Sequence, residues 1–185
     1  VDLIDNDQLR LAWQSINSTP FTRCDSFASA TYCRGYTATT YDNRIQNLNS
    51  AHRTDFYNFL QRFSSEGGTP LRTAMQRAGQ YYSTPSGTNN PYAEFPQLSV
   101  GTELSCRKNY HVMMTDGIWN SDVVTVFGNT DSTAITLPDQ VAFPVGAPYA
   151  DANSNSLGDI AFNFWSTDLR TDLENNVAPY TIDRS

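Results

Sequence analysis

Stretches with the two-residue period of a strand alternate along this chain with stretches of helical period, and that alternation constrains its fold more than any other feature. Leu9, Leu11 and Trp13 alternate with Arg10, Ala12 and Gln14, which predicts a strand over 9–16 with one packed face. Phe56, Phe59, Leu60 and Phe63 fall at i, i+3, i+4 and i+7. They predict an amphipathic helix that starts between Ser50 and Thr54 and is ended by Gly67-Gly68. Thr69 then makes a good N-cap and Pro70 a good first helical residue, and Leu71, Ala74, Met75 and Ala78 form the stripe of a second helix reaching about Tyr81. Tyr110–Met114 is a short apolar run, the pattern of a buried strand that delivers Asp116 at its C-terminal end. Val123–Phe143 reads as a hairpin-like excursion. Ser156 and Asp159 form a capping box for a third helix, with Leu157, Ile160, Ala161, Phe164 and Trp165 on its apolar face and its end near Leu169. The predicted fold is α/β, a mostly parallel sheet flanked by helices, with ligand sites at the carboxyl ends of its strands. Thr69 and Asp116 both fall at that edge.

The chain has 185 residues, enough for one domain with a real core, so 1–185 is expected to be a single domain. Residues 17–50 are rich in Ser, Thr, Asn, Tyr and Gly and read as a loop insertion, and 83–101 as a surface loop. Twelve Lys and Arg against 19 Asp and Glu leave a net charge of −7, which argues against a nucleic-acid partner, because such binding depends on cations neutralising phosphates. No apolar run approaches the roughly 18 residues of a membrane span. With no initiator Met and a polar, weakly charged composition, the chain is expected to be a piece of a longer, secreted protein. Cys24 and Cys33 lack zinc-ligand spacing and are expected to form a local disulfide, leaving Cys106 over; three reduced thiols are the alternative.

Candidate chemistry centres on two oxygen donors. A hydroxyl at a helix start, Thr69, and a carboxylate at a strand end, Asp116, are hard ligands of the kind that suit Mg²⁺ or Ca²⁺. Taken singly, each has a plainer explanation, a helix cap for Thr69 and a turn for Asp116-Gly117. Asp151, Asn153 and Asn155 open like a calcium loop, but Ser156 stands where that loop needs Gly and Phe162 where it needs Glu. Gly67-Gly68-Thr69 resembles an anion-binding nest without the Lys of a phosphate loop. His52 and His111 sit outside any hydrolase motif and read as structural. A secreted hydrolase remains the rival functional class.

Three segments in order add a resemblance that covers much of the chain. Ser64-Ser65-Glu66-Gly67-Gly68-Thr69-Pro70-Leu71 and the stretch from Cys106 through Tyr110-His111-Val112-Met113-Met114-Thr115-Asp116-Gly117 to Asn120 resemble the second and third metal-site motifs of von Willebrand factor A domains. The stretch from Tyr149 through Asp159, Phe164-Trp165 and Thr167–Val177 is similar to a segment of the type IV pilus tip-associated adhesins, the PilY/PilC family. The resemblance implies a von Willebrand factor A-like domain with a metal-ion-dependent adhesion site, to which Thr69 and Asp116 would give two donors and a divalent cation would bind. The family's Asp-x-Ser-x-Ser motif has no counterpart here, because Asp5-x-Asp7-x-Leu9 lacks both serines. The first and last strands are therefore expected to lie outside these residues. Also implied are a non-enzymatic adhesive role at a bacterial pilus tip, in pilus biogenesis, surface attachment and twitching motility. Pilins or minor pilins and host or abiotic surfaces would be its partners, and a purely structural spacer is the alternative.

Overall fold

Each helical period in the sequence becomes a helix: α1 spans Ser50–Arg62, α2 Leu71–Tyr82 and α3 Leu157–Ser166. The structure is a computed structural model that describes residues 9–16, 23–24, 41–62, 68–85, 90–94, 101–105, 107–120 and 122–173. Its strands are short and pair in antiparallel twos: β1 (Arg10–Leu11) with β4 (Gln46–Asn47), β2 (Arg23–Cys24) with β3 (Tyr41–Asp42), and β5 (Ile135–Thr136) with β6 (Ala142–Phe143). The chain divides into two compact units, one of residues 1–68 and 84–104, the other of 69–83 and 105–185. Cys33 and Cys106 lie outside the described residues, and so does the proposed disulfide.

In the first unit, Trp13 is buried against Leu11, Phe56 and Phe59, so one face of α1 closes over the end of β1 and the residues just after it. The Phe56 ring meets the indole edge-on at 5.2 Å, a favoured aromatic geometry. Asn49 caps α1 by accepting from the His52 amide at 3.0 Å. His52 is buried, and its Nε2 donates to the Leu11 carbonyl at 2.8 Å, a structural role. The expected strand over 9–16 narrows to Arg10–Leu11 because the Asn43 side chain, donating to the Trp13 carbonyl at 2.8 Å, takes the place of a ladder amide. Arg10 joins distant stretches of this unit through the carbonyls of Ile45 at 3.1 Å, Pro91 at 3.0 Å and Ala93 at 3.2 Å.

In the second unit, α2 packs on α3. Gly79 lies under the Phe164 ring, and a Cβ there would stand 2.3 Å from two ring carbons. Phe143, Tyr149, Phe162 and Trp165 gather on the other side of α3, with Phe162 stacked on Tyr149 at 6.0 Å. The capping box forms as expected: Ser156 accepts from the Asp159 amide, and Asp159 accepts back from Ser156. Asp159 is fully buried, and its other oxygen accepts from the amides of Thr130 at 2.6 Å and Asp131 at 3.3 Å, so the carboxylate also anchors the loop before β5. The helix stops at Ser166 rather than near Leu169, because Thr167 turns extended and Asp168 accepts from the Arg170 amide in a new turn. Within 123–143 the hairpin is β5–β6. Its loop is a turn closed by Gln140 N–H to the Leu137 carbonyl at 2.8 Å, with Gln140 in the left-handed region at φ 65°.

Tyr110–Met114 departs from its pattern. Among the described residues it joins no ladder, and Tyr110, Val112 and Met114 are 76, 79 and 83% exposed. A buried strand needs partners on both sides, and the three described ladders do not include this run.

Candidate functional site

Thr69 and Asp116 both belong to the second unit. Thr69 does not cap α2. The N-cap is Pro70, which makes no side-chain cap bond, and the helix begins at Leu71. A proline-capped start leaves first-turn amides without a local acceptor. They find one fifty residues along the chain, where the Asp122 carboxylate, its side chain wholly buried, accepts from the Arg72 amide at 2.6 Å and the Thr73 amide at 3.2 Å. The Thr73 hydroxyl also donates to it. A carboxylate at a helix N-terminus is favoured by both its hydrogen bonds and the helix dipole.

Immediately before the helix, the backbone of Thr69 is held by Asn120 at both its N–H and its carbonyl. The Thr69 amide donates to Asn120 Oδ1 at 2.9 Å, and the Asn120 amide donates to the Thr69 carbonyl at 3.2 Å. Among the described residues, neither the Thr69 hydroxyl nor the Asp116 carboxylate makes a hydrogen bond or ion pair. Asp116 is exposed, in a short turn where the Thr115 hydroxyl accepts from the Gly117 amide at 3.4 Å. Two candidate oxygen donors without protein partners are thus linked through Asn120, Asp116 four positions before it in the chain and Thr69 hydrogen-bonded to it at the start of α2.

Arg72 braces the same region. Its guanidinium donates to the carbonyls of Asp122 and, at 3.2 Å, Asn155, and it lies 6.0 Å from the Trp119 ring centroid. Asn155, at φ 57°, accepts with its side chain from the amides of Phe127 at 2.9 Å and Gly128 at 3.0 Å, so the Asp151–Asn155 segment serves as a helix-entry loop. His111 lies on the exposed run, with its pKa lowered by desolvation. A shallow depression lined by Ile135, Leu137, Pro138, Asn163, Ser166 and Asp168 lies elsewhere in this unit, and neither Thr69 nor Asp116 lines it.

Among the described residues, no group of three or more His, Cys, Asp and Glu side chains gathers to hold a metal ion. Thr69 and Asp116 fit a hard divalent cation in kind, as side-chain oxygen donors without protein partners, but two donors fall short of the roughly six that Mg²⁺ takes and the roughly six to eight that Ca²⁺ takes. Sequence reasoning missed Asp122. Its signal was there only in part, since a helix that starts with Pro and lacks an acidic residue in its first turn calls for an outside acceptor, while the sequence does not say which one.

No family model matches the chain, and no solved structure matches it. Among curated proteins it is 41% identical over 174 residues to the type IV pilus biogenesis factor PilY1 of Pseudomonas aeruginosa strain PAK, covering 94% of this chain and 14% of that protein. It is 40% identical over 174 residues to PilY1 of strain PAO1, again 94% of this chain and 14% of the other. It is 36% identical over 179 residues to PilY1 of strain UCBPP-PA14, covering 97% of this chain and 14% of that protein. No described helix is long and apolar enough to cross a membrane. Over nearly its whole length, the chain is thus similar to a stretch that makes up about one-seventh of type IV pilus biogenesis factors of Pseudomonas aeruginosa.

Proposed function

We propose that this chain is a non-enzymatic binding module of a type IV pilus-associated protein, built as a von Willebrand factor A-like α/β domain with a mostly parallel sheet. Thr69 and Asp116 are two ligands of a metal-ion-dependent adhesion site for Mg²⁺ or Ca²⁺. The observation that carries this is the reciprocal hydrogen bonding of Thr69 and Asn120, which ties the strip bearing Asp116 to the start of α2 and leaves both candidate donors uncommitted. The relatives' name, type IV pilus biogenesis factor, supports the link to the pilus.

A neutral hydroxyl with few carboxylates leaves a cation Lewis-acidic, and an acidic side chain of a partner can then complete its shell. Thr69 contributes the neutral oxygen and Asp116 the charge; further ligands come from water, from the partner and from residues outside this chain. The partners are pilins or minor pilins and host or abiotic surface ligands, met by a secreted protein at the bacterial pilus tip, where it supports pilus biogenesis, attachment and twitching motility. Asp116→Ala in the full-length protein tests this. Surface attachment is expected to fall while the protein still folds and reaches the cell surface; undiminished attachment would make the domain a structural spacer.

A further inference from the structure

We infer that Asn120 and Asp122 are positioning residues, which set where the Thr69 hydroxyl stands relative to the Asp116 carboxylate. This rests on the Thr69–Asp116 site proposed above. Two bonds to the backbone of one residue, one to the peptide group on each side of its Cα, fix orientation as well as distance, and Asn120 makes both, accepting with its side chain and donating with its backbone. Asp122 then grips the next turn through the amides of Arg72 and Thr73 and the Thr73 hydroxyl. Together they lock the start of α2 to the strip at consecutive points, Thr69 and then residues 72–73.

The consequence for Asp116 follows from chain length. It lies four positions before Asn120 in the chain, a reach of at most about 14 Å when fully extended. With Asn120 fixed on Thr69, the carboxylate is confined to the neighbourhood of the helix start. Without that tie, the restraints left near Asp116 are the turn at Thr115–Gly117, the approach of Trp119 to Arg72 and the grip of Asp122 two residues past Asn120, none of which holds Thr69 itself. The helix start has no restraint of its own kind either, since its N-cap Pro70 offers no side-chain bond. The separation of the two donors is therefore set by residues that are not themselves donors. In metal sites, loss of such outer partners weakens binding about 10–100-fold.

The test uses the full-length protein, with Mn²⁺ as the probe and with amide exchange of peptides covering residues 69–75 and 114–120. The relevant Mn²⁺ site is the one lost in Asp116→Ala. Asn120 is exposed, so Asn120→Leu leaves the packed core untouched. It is expected to speed exchange at Thr69 about tenfold or more and to weaken the Asp116-dependent site about tenfold, with little change in thermal midpoint. Asn120→Asp keeps the acceptor oxygen and is expected to retain slow exchange at Thr69. Asp122→Asn serves as the second perturbation and is expected to speed exchange at residues 72–73. Unchanged exchange at Thr69 in Asn120→Leu overturns the positioning role, and so does unchanged Mn²⁺ affinity at a site that Asp116→Ala removes. If Asp116→Ala removes no Mn²⁺ site, the metal reading of Thr69 and Asp116 fails, and exchange alone decides whether Asn120 and Asp122 hold the helix start.

Discussion

Gly79→Ala separates helix propensity from packing, because the two act in opposite directions at that residue. In an exposed helix interior, Ala is favoured over Gly by about 1 kcal/mol. Here the added Cβ would sit 2.3 Å from the Phe164 ring, against the roughly 3.5–4.0 Å of an ordinary carbon contact. The ring must retreat by about 1.2 Å or more, and it is held by Phe127, edge-on at 5.7 Å, and by the packing of α3 on α2. Overpacking of this kind costs about 1–3 kcal/mol. Net of the propensity gain, the expected loss is about 1 kcal/mol, and the sign should reverse once the ring is gone. In a Phe164→Ala background, Gly79→Ala is expected to stabilise by about 1 kcal/mol, a coupling of about 2 kcal/mol between two residues in contact. Amide exchange of α2 and α3 reads this directly, since about 1.4 kcal/mol is a tenfold change in opening. Exchange of the slowest α2 amides should quicken several-fold in the single variant and slow in the double variant relative to Phe164→Ala. If Gly79→Ala stabilises both backgrounds equally, the close approach of α2 and α3 at Gly79 is wrong.

Gln140 holds a left-handed φ of 65° at the close of the hairpin turn, so Gln140→Gly should gain about 0.5–1 kcal/mol and raise the thermal midpoint, whereas Gln140→Val should lower it. Arg170 grips Asp172 with two bonds, Nε to Oδ1 at 2.7 Å and Nη2 to Oδ2 at 2.8 Å, and these hold the carboxyl below its usual pKa. A lowered carboxylate pKa contributes stability above the unfolded value and loses it as pH falls through the folded one. Titration of the Asp172 carboxyl carbon should therefore give a midpoint below that of an unpaired aspartate, and Arg170→Leu should raise it.

What was legible in the sequence was what depends on near neighbours. The Ser156–Asp159 box and the stripe of Leu71, Ala74 and Ala78 are contacts within one or two turns, and each forms where the spacing puts it. The start of α2 was misread for the same reason. Thr69 has the chemistry of a cap, but the acceptor that serves the first turn is Asp122, and only folding brings it there. Tyr110–Met114 carries a strand's apolar pattern, yet its ladder depends on partners that its own residues cannot specify. The candidate site was half legible. Thr69 and Asp116 were marked by resemblance, while Asn120, the residue that ties their segments together, had nothing in its immediate sequence to mark that role.

Arg72 bears on how this segment tolerates change over generations. Its fork reaches the Asp122 carbonyl and the Asn155 carbonyl, its Nε is ion-paired with the buried Asp122 carboxylate at 3.6 Å, and its plane lies near the Trp119 ring, so the residue supplies shape as well as charge. A lysine would preserve the net charge of the chain and lose the simultaneous reach. Drift that looks conservative by charge would thus be filtered at this position, whereas exposed cations whose stems pack against nothing could exchange freely.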